Sequence, residues 1–198
     1  MKFMSSFEFL SVLISVVVGL GLANMFTGLG RLVYRRNAFS FSLAHAAWSV
    51  HLFSMMVVYW WTVVFGWQDY QNWNILIFVF ILIYGFALFM MSALLYPSEV
   101  PQEWDLGKHF GEIRGWFFAF YFLWFGSELL DTWLKRHFDD FSWPYAIMMT
   151  SWAATALWAW ASPRRRVQDA VALFQAATLI CWVLYGLRDL EWARTWAS

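Results

Sequence analysis

The chain has 198 residues, 62% of them hydrophobic and only 13% charged, and its thirteen basic and thirteen acidic side chains cancel. A water-soluble fold cannot cover so much apolar surface, and zero net charge leaves no field to draw the chain to nucleic acid or an acidic substrate. One cysteine, Cys181, excludes an intramolecular disulfide and a cysteine-based metal framework.

Six apolar stretches separated by short polar breaks lie near residues 9–32, 42–66, 74–96, 115–134, 144–162 and 168–187, each close to the ~20 residues that cross a bilayer. They predict an all-α, polytopic transmembrane bundle of six helices forming one domain over residues 1–198. Lys2 precedes an apolar run that is too long for a secretory signal and lacks a small-x-small cleavage site, so the first span is expected to stay. Arg31, Arg35 and Arg36 at the first loop and Arg164, Arg165 and Arg166 in the fifth make those loops cytoplasmic by the positive-inside rule. The loop 97–114 shares that side, and the N-terminus and C-terminus are expected outside.

Sixteen tryptophans are many for this length, and interfacial belts account for most of them. Trp60, Trp61, Trp67, Trp73, Trp133, Trp143, Trp192 and Trp196 fall at the expected outer boundary, and Trp104, Trp116, Trp158 and Trp160 near the inner one. Three spans on each side of the central loop would make the halves inverted, an arrangement many transporters use, although no residue-level repeat links them.

In the first span Ser11, Ser15, Gly19, Ala23 and Thr27 recur every four residues, a ridge of small side chains suited to close helix packing within the chain or across a homodimer. Asn24 places an amide near mid-membrane that must find a partner. The second span holds His45 and His51. Six residues apart, they point about 120° apart around a helix and cannot both ligate one haem, and no other span contains a histidine. No metal and no cofactor is therefore expected, and His51 reads as a packed or cavity-facing polar residue able to take a proton. In the central loop Asp105 and His109 are four apart; on a helix they would touch, the skeleton of an acid/base pair without a nucleophile. The competing reading lays Trp104 and Phe110 of that loop on the bilayer surface.

The fourth span is the shortest in uncharged residues, Gly115 to Ser127, about 20 Å of helix, so a crossing must admit Arg114 or Glu128. An acid there is costly unless paired or hydrated. Glu128 and Asp131, with Glu8 and Arg188 at the same level, form the candidate ion or proton site, and Lys2 and Lys135 are further cations in reach. In the alternative, Asp131 and Lys135 are a surface i, i+4 pair. The sixth span sets Gln168, Gln175, Thr178, Trp182, Tyr185 and Asp189 on one face, with Ser151, Thr155 and Ser162 as a weaker companion stripe on the fifth. Gln175, Thr178, Tyr185 and His51 are the candidates for lining a pathway, against plain hydrogen-bonded packing.

There is no Walker loop, dinucleotide fingerprint, HExxH or GxSxG, so the chain is not expected to be an enzyme. The opening Ser6-Phe7-Glu8-Phe9-Leu10-Ser11 through Gly19-Leu20-Gly21-Leu22, with Asp105-Leu106, His109-Phe110 and Trp116-Phe117-Phe118, resembles a group of small uncharacterised bacterial six-helix membrane proteins. That resemblance implies a multi-pass protein of the bacterial inner membrane and carries no activity or site residues with it. The leading expectation is a small channel or transporter for a proton, ion or small solute. The second is a sensor or accessory subunit binding another membrane protein, and the third a cofactor-binding redox subunit. The expected partners are the lipid bilayer and either a second copy or a partner membrane protein.

Overall fold

The computed structural model describes residues 6–68, 70, 72–99, 103–135 and 143–186. Six helices carry the fold: α1 (Ser6–Tyr34), α2 (Leu43–Gly66), α3 (Ile75–Leu95), α4 (Leu106–Leu134), α5 (Trp143–Ala161) and α6 (Arg165–Gly186). Among the described residues four of them, α1, α2, α3 and α6, are long and apolar enough to cross a membrane. In α4 the acids and Arg114 interrupt the apolar run, and α5 is short and rich in tryptophan.

Local chemistry sets several helix starts. Asn74 accepts from the amides of Leu76 and Ile77 at 3.0 and 3.1 Å, Ser42 accepts from His45, and Asp105 accepts from Gly107 and Lys108 at 2.8 and 3.0 Å. Each satisfies donors that the first turn leaves without a helical partner. The cap at Asp105 starts α4 well before the position near 115 expected from hydropathy alone, so part of the expected loop is helix. A two-residue parallel pairing of β1 (Phe39–Ser40) with β2 (Trp104–Asp105) ties the loop before α2 to the start of α4. Trp104 and Phe110 are consequently buried. The pairing turns Trp104 inward against the rings of His45 and His109, which overturns the expectation that these two side chains lie on a bilayer surface.

Helix α2 is the hub, packed most broadly on α6 and also on α1, α3 and α4, while α3 packs on both α1 and α4, and α5 lies against α4 and α6. Cross-helix bonds show that α2 runs antiparallel to α1 and parallel to α4 and α6, while α1 and α3 run parallel. Near one end Arg31 of α1 donates to the Ser98 carbonyl at 2.6 Å, and Asp169 of α6 accepts from the Ala44 amide at 2.9 Å. Toward the other, Trp60 of α2 donates to Ser15 of α1 at 3.0 Å, and Trp67 donates to Asp131 of α4. The first end collects Arg31, Arg35, Arg36, Lys108, Arg164, Arg165 and Arg166; Glu8, Glu128 and Asp131 lie toward the opposite end.

Asn24 finds its partner on α3. Its amide nitrogen donates to the Ser92 carbonyl and hydroxyl at 3.0 Å each and to the Tyr96 carbonyl at 3.3 Å, while the Ser92 hydroxyl donates back to the Gly21 carbonyl at 3.1 Å. Gly28 completes this seam, because a β-carbon there would overlap the Tyr96 ring. The ridge residues Ser15, Gly19, Ala23 and Thr27 are exposed and Ser11 is half-buried, although Ser15 accepts from the Trp60 indole of α2. A β-carbon on Gly19 would meet nothing within 4 Å. Within the chain, α1 therefore packs on α3 through Asn24, Gly21 and Gly28, and the ridge contributes only Ser15, through its bond to Trp60.

Of the tryptophans expected in interfacial belts, Trp116, Trp133, Trp143 and Trp158 are exposed. Trp67 is not: it is wholly buried, packed between Tyr70 and Trp73, because its indole nitrogen is bonded to a buried carboxylate.

Candidate functional site

Glu128 and Asp131 sit one turn apart near the end of α4, yet their surroundings differ in kind. Asp131 is 6% exposed and fully paired. Lys135 lies 2.7 Å from one carboxylate oxygen, with both side chains 8% exposed, and the Trp67 indole donates to the other at 2.8 Å. The Lys135 ammonium also reaches the Thr62 carbonyl at 3.4 Å and stands 5.5 Å from the Trp67 ring centre, a cation–π distance. This i, i+4 pair is buried between α2 and α4, not on the surface; wrapping by Trp67 is what removes it from solvent.

Glu128 meets phenols instead. One carboxylate oxygen accepts from Tyr84 of α3, and the other accepts from Tyr145 of α5 at 3.1 Å. Thr132 lies 3.3 Å from the Tyr145 hydroxyl and donates to the Glu128 carbonyl at 3.0 Å. Tyr84 in turn packs on Tyr59 of α2, their ring centres 4.5 Å apart, and the Tyr59 hydroxyl donates to the Ile81 carbonyl at 2.7 Å. Glu128 thus joins three helices through neutral donors, and among the described residues no cation lies within ion-pair distance of it. Glu8 is in the first turn of α1, where its carbonyl accepts from Ser11 and the neighbouring Phe7 ring packs on Trp73. Arg188 lies outside the described residues, as do Lys2 and Asp189.

The polar stripe of α6 does face the bundle. Gln175 is wholly buried, its oxygen accepting from Tyr121 at 2.6 Å and its nitrogen donating to the Trp152 carbonyl at 3.1 Å and to Thr155 at 3.2 Å. Thr178 accepts from the Trp152 indole at 2.8 Å. Gln168 donates to the carbonyls of Ala159 and Ser162 at 2.6 Å each, locking the turn between α5 and α6. These side chains interlock α4, α5 and α6; the side chain of Tyr185 is outside the described residues.

His51 lies at the centre of the bundle, wholly buried. Trp48 and Trp152 stand edge-on to its ring at 5.4 and 5.2 Å, and Tyr121 stacks at 6.3 Å. The Gln175 backbone faces the imidazole, but neither ring nitrogen makes a hydrogen bond of normal geometry, and the indole nitrogens of neighbouring Trp48 and of Trp124 are likewise without one. Buried polar groups are otherwise paired in more than nine cases of ten, so this aromatic cage is the least satisfied polar region among the described residues.

Asp105 and His109 do not form a pair. Asp105 precedes the helix and spends one carboxylate oxygen on capping it, while the His109 ring bonds the Leu94 carbonyl at 2.9 Å and packs edge-on against Trp104. The i, i+4 contact fails because Asp105 adopts extended backbone. The Lys108 amide, then that of Gly107 and the charge of Arg165, hold the Asp105 carboxyl below the ordinary carboxylate range.

The residues that sequence reasoning missed are Tyr84, Tyr145 and Trp67. Tyr84 carried a usable signal, as the one phenol inside an aliphatic helix; Tyr145 and Trp67 sit among other aromatics and carried none. No protein-family model, characterised protein or solved structure is detectably similar to this chain.

Proposed function

We propose that the chain is a multi-pass protein of the bacterial inner membrane in which all six helices cross the bilayer, both termini lie outside, and a proton or small cation is carried through the Glu128 site. The topology rests on the arginines gathered at one end and on exposed tryptophans at both. The transport reading rests on one observation: the Glu128 carboxylate is held by two phenols from different helices, and among the described residues no cation lies within ion-pair distance of it. Neutral donors leave the charge available to an incoming proton or cation. Once protonated, the carboxyl no longer accepts from both phenols equally, and one contact to α3 or α5 must rearrange. Ion binding is thereby coupled to helix position, the coupling an alternating-access carrier needs. The interlock of Tyr121, Gln175, Trp152 and Thr178 closes the polar stripe in this state, which favours a gated carrier over an open channel, with His51 and Tyr185 along the route.

Proteoliposomes loaded with a pH-sensitive dye test this. Glu128→Gln keeps the shape and one accepting oxygen, its amide nitrogen donating to the other phenol in place of accepting from it, and flux should fall at least tenfold with folded protein unchanged. Undiminished flux overturns the proposal.

The outward-facing ridge on α1 favours a second reading, in which the chain assembles with a second copy or a partner membrane protein and carries nothing. Small-residue ridges allow close helix approach in lipid, and Gly19, Ala23 and Thr27 of this one stay exposed in the chain's own packing. Gly19→Leu or Ser15→Leu should then lower the assembled size in solution, and an unaltered size removes the ridge as an interface.

A further inference from the structure

The second half of α1 and the first half of α2 diverge and leave an apolar groove of about 660 Å³ between them. Its walls are the exposed side chains of Leu29, Val33, Phe41 and Val50. Its far end is shut where the Phe26 and Phe53 rings meet at 6.1 Å. Arg36 lines the opposite end, exposed, and among the described residues it has no ion pair. A second cation stands beside that mouth, because Arg165 donates to the carbonyl of the groove residue Phe41 at 3.3 Å.

We infer that this groove seats one acyl chain of an anionic phospholipid, with the headgroup phosphate against Arg36. The length of the groove carries the argument. From Phe26 to Tyr34 α1 rises over eight residues, about 12 Å, and Arg36 follows in the turn beyond the helix end, so the groove approaches half of a hydrocarbon core ~30 Å thick, the depth of one leaflet. The groove is closed at the depth where an acyl chain ends and is cationic at the level where a headgroup begins. Guanidinium groups bind phosphate through paired hydrogen bonds, and the apolar walls ask for nothing polar between mouth and floor. By the proposed topology the mouth opens to the cytoplasmic leaflet, the one that attracts juxtamembrane arginines. The inference rests on the membrane reading above but not on transport through Glu128.

Native mass spectrometry of the detergent-solubilised full chain, with phosphatidylglycerol or phosphatidylcholine added, tests it. Wild type should hold one phosphatidylglycerol per chain and prefer it over phosphatidylcholine about fivefold, the effect of one arginine at the headgroup level. Arg36→Gln, an exposed change, should erase the preference, and Val50→Trp should displace the lipid by filling the groove. Equal retention of both lipids by wild type, or an adduct indifferent to both variants, overturns the inference. A chain dimer that Val50→Trp dissociates also overturns it, by putting a second copy in the groove. Glu128→Gln run in parallel keeps the two readings apart: lost flux with lipid retained supports both, whereas undiminished flux with an Arg36-dependent adduct sinks transport alone. Release of the wild-type chain from membranes by alkaline carbonate would sink the membrane reading and this inference together.

Discussion

The two ends of the bundle handle charge in opposite ways. At the carboxylate end Asp131 and Lys135 are drawn in among aromatic rings and paired, and Glu128 is bridged by two phenols. At the arginine end Arg35, Arg36, Arg164 and Arg166 stay exposed, and Asp105 is used for capping. Charges that are buried and coupled between helices can sense ion binding and report it as movement. Exposed charges have little influence on the internal packing of the bundle and, on the proposed topology, are free to meet lipid headgroups.

That contrast can be broken most severely at Lys135. Lys135→Ala leaves Asp131 buried with only the Trp67 indole, and removing one partner of a buried pair costs about 3 kcal/mol or more. Denaturant unfolding in mixed micelles would show a large drop in midpoint; a change below about 1 kcal/mol would mean the pair is solvated. Next in size is Asn24→Leu, which removes the bonds to Ser92 and Tyr96 on the arginine side of the α1/α3 seam. Interhelical polar bonds in membranes are worth ~0.6 kcal/mol on average and up to ~1.7, so a loss of about 1 kcal/mol in the same assay is expected. Glu128→Gln should cost less still, under about 1 kcal/mol, because the amide oxygen accepts from one phenol and the amide nitrogen can donate to the hydroxyl oxygen of the other. Loss of stability comparable to that of Lys135→Ala would turn Glu128 into a structural residue.

The smallest effect is expected at Asp105. Its carboxyl is held below the ordinary range by the Lys108 and Gly107 amides and by Arg165. Such a group contributes stability above its unfolded value and loses it as pH falls through the lower folded value. The first turn of α4 should therefore keep its amide-exchange protection at pH 7 and lose part of it only in strong acid, below the usual carboxylate range. Asp105→Ala should show that reduced protection at every pH, and Asp105→Asn, itself a good cap, should restore it without the acid dependence. Equal protection in Asp105→Ala would show that the cap does not hold the turn.

Much of the architecture was legible in advance. Runs such as Ile75–Leu95 and the polar breaks between them reflect local hydropathy, so six helices in an all-α bundle followed from the order of residues alone. The inward face of α6 was readable too, since Gln168 and Gln175 repeat at helical spacing against an aliphatic opposite face. The early start of α4 was harder to see, because hydropathy stops at Arg114 while the cap at Asp105 extends the helix past its apolar part.

By itself the sequence determined that the chain is a bundle of apolar helices, where they lie, and that an acid falls within the end of one of them. Tertiary structure alone decided which groups face that acid: phenols for Glu128, an ammonium and an indole for Asp131. It also decided that the small ridge of α1 turns outward while Asn24 turns to α3, and that Trp67 leaves the belt for the core. The reason is the range of the forces involved. Hydropathy and capping act between residues a few positions apart, whereas the partner of a buried polar group is set by which distant helix brings a side chain of the right length to within 3 Å, and no local pattern encodes that meeting.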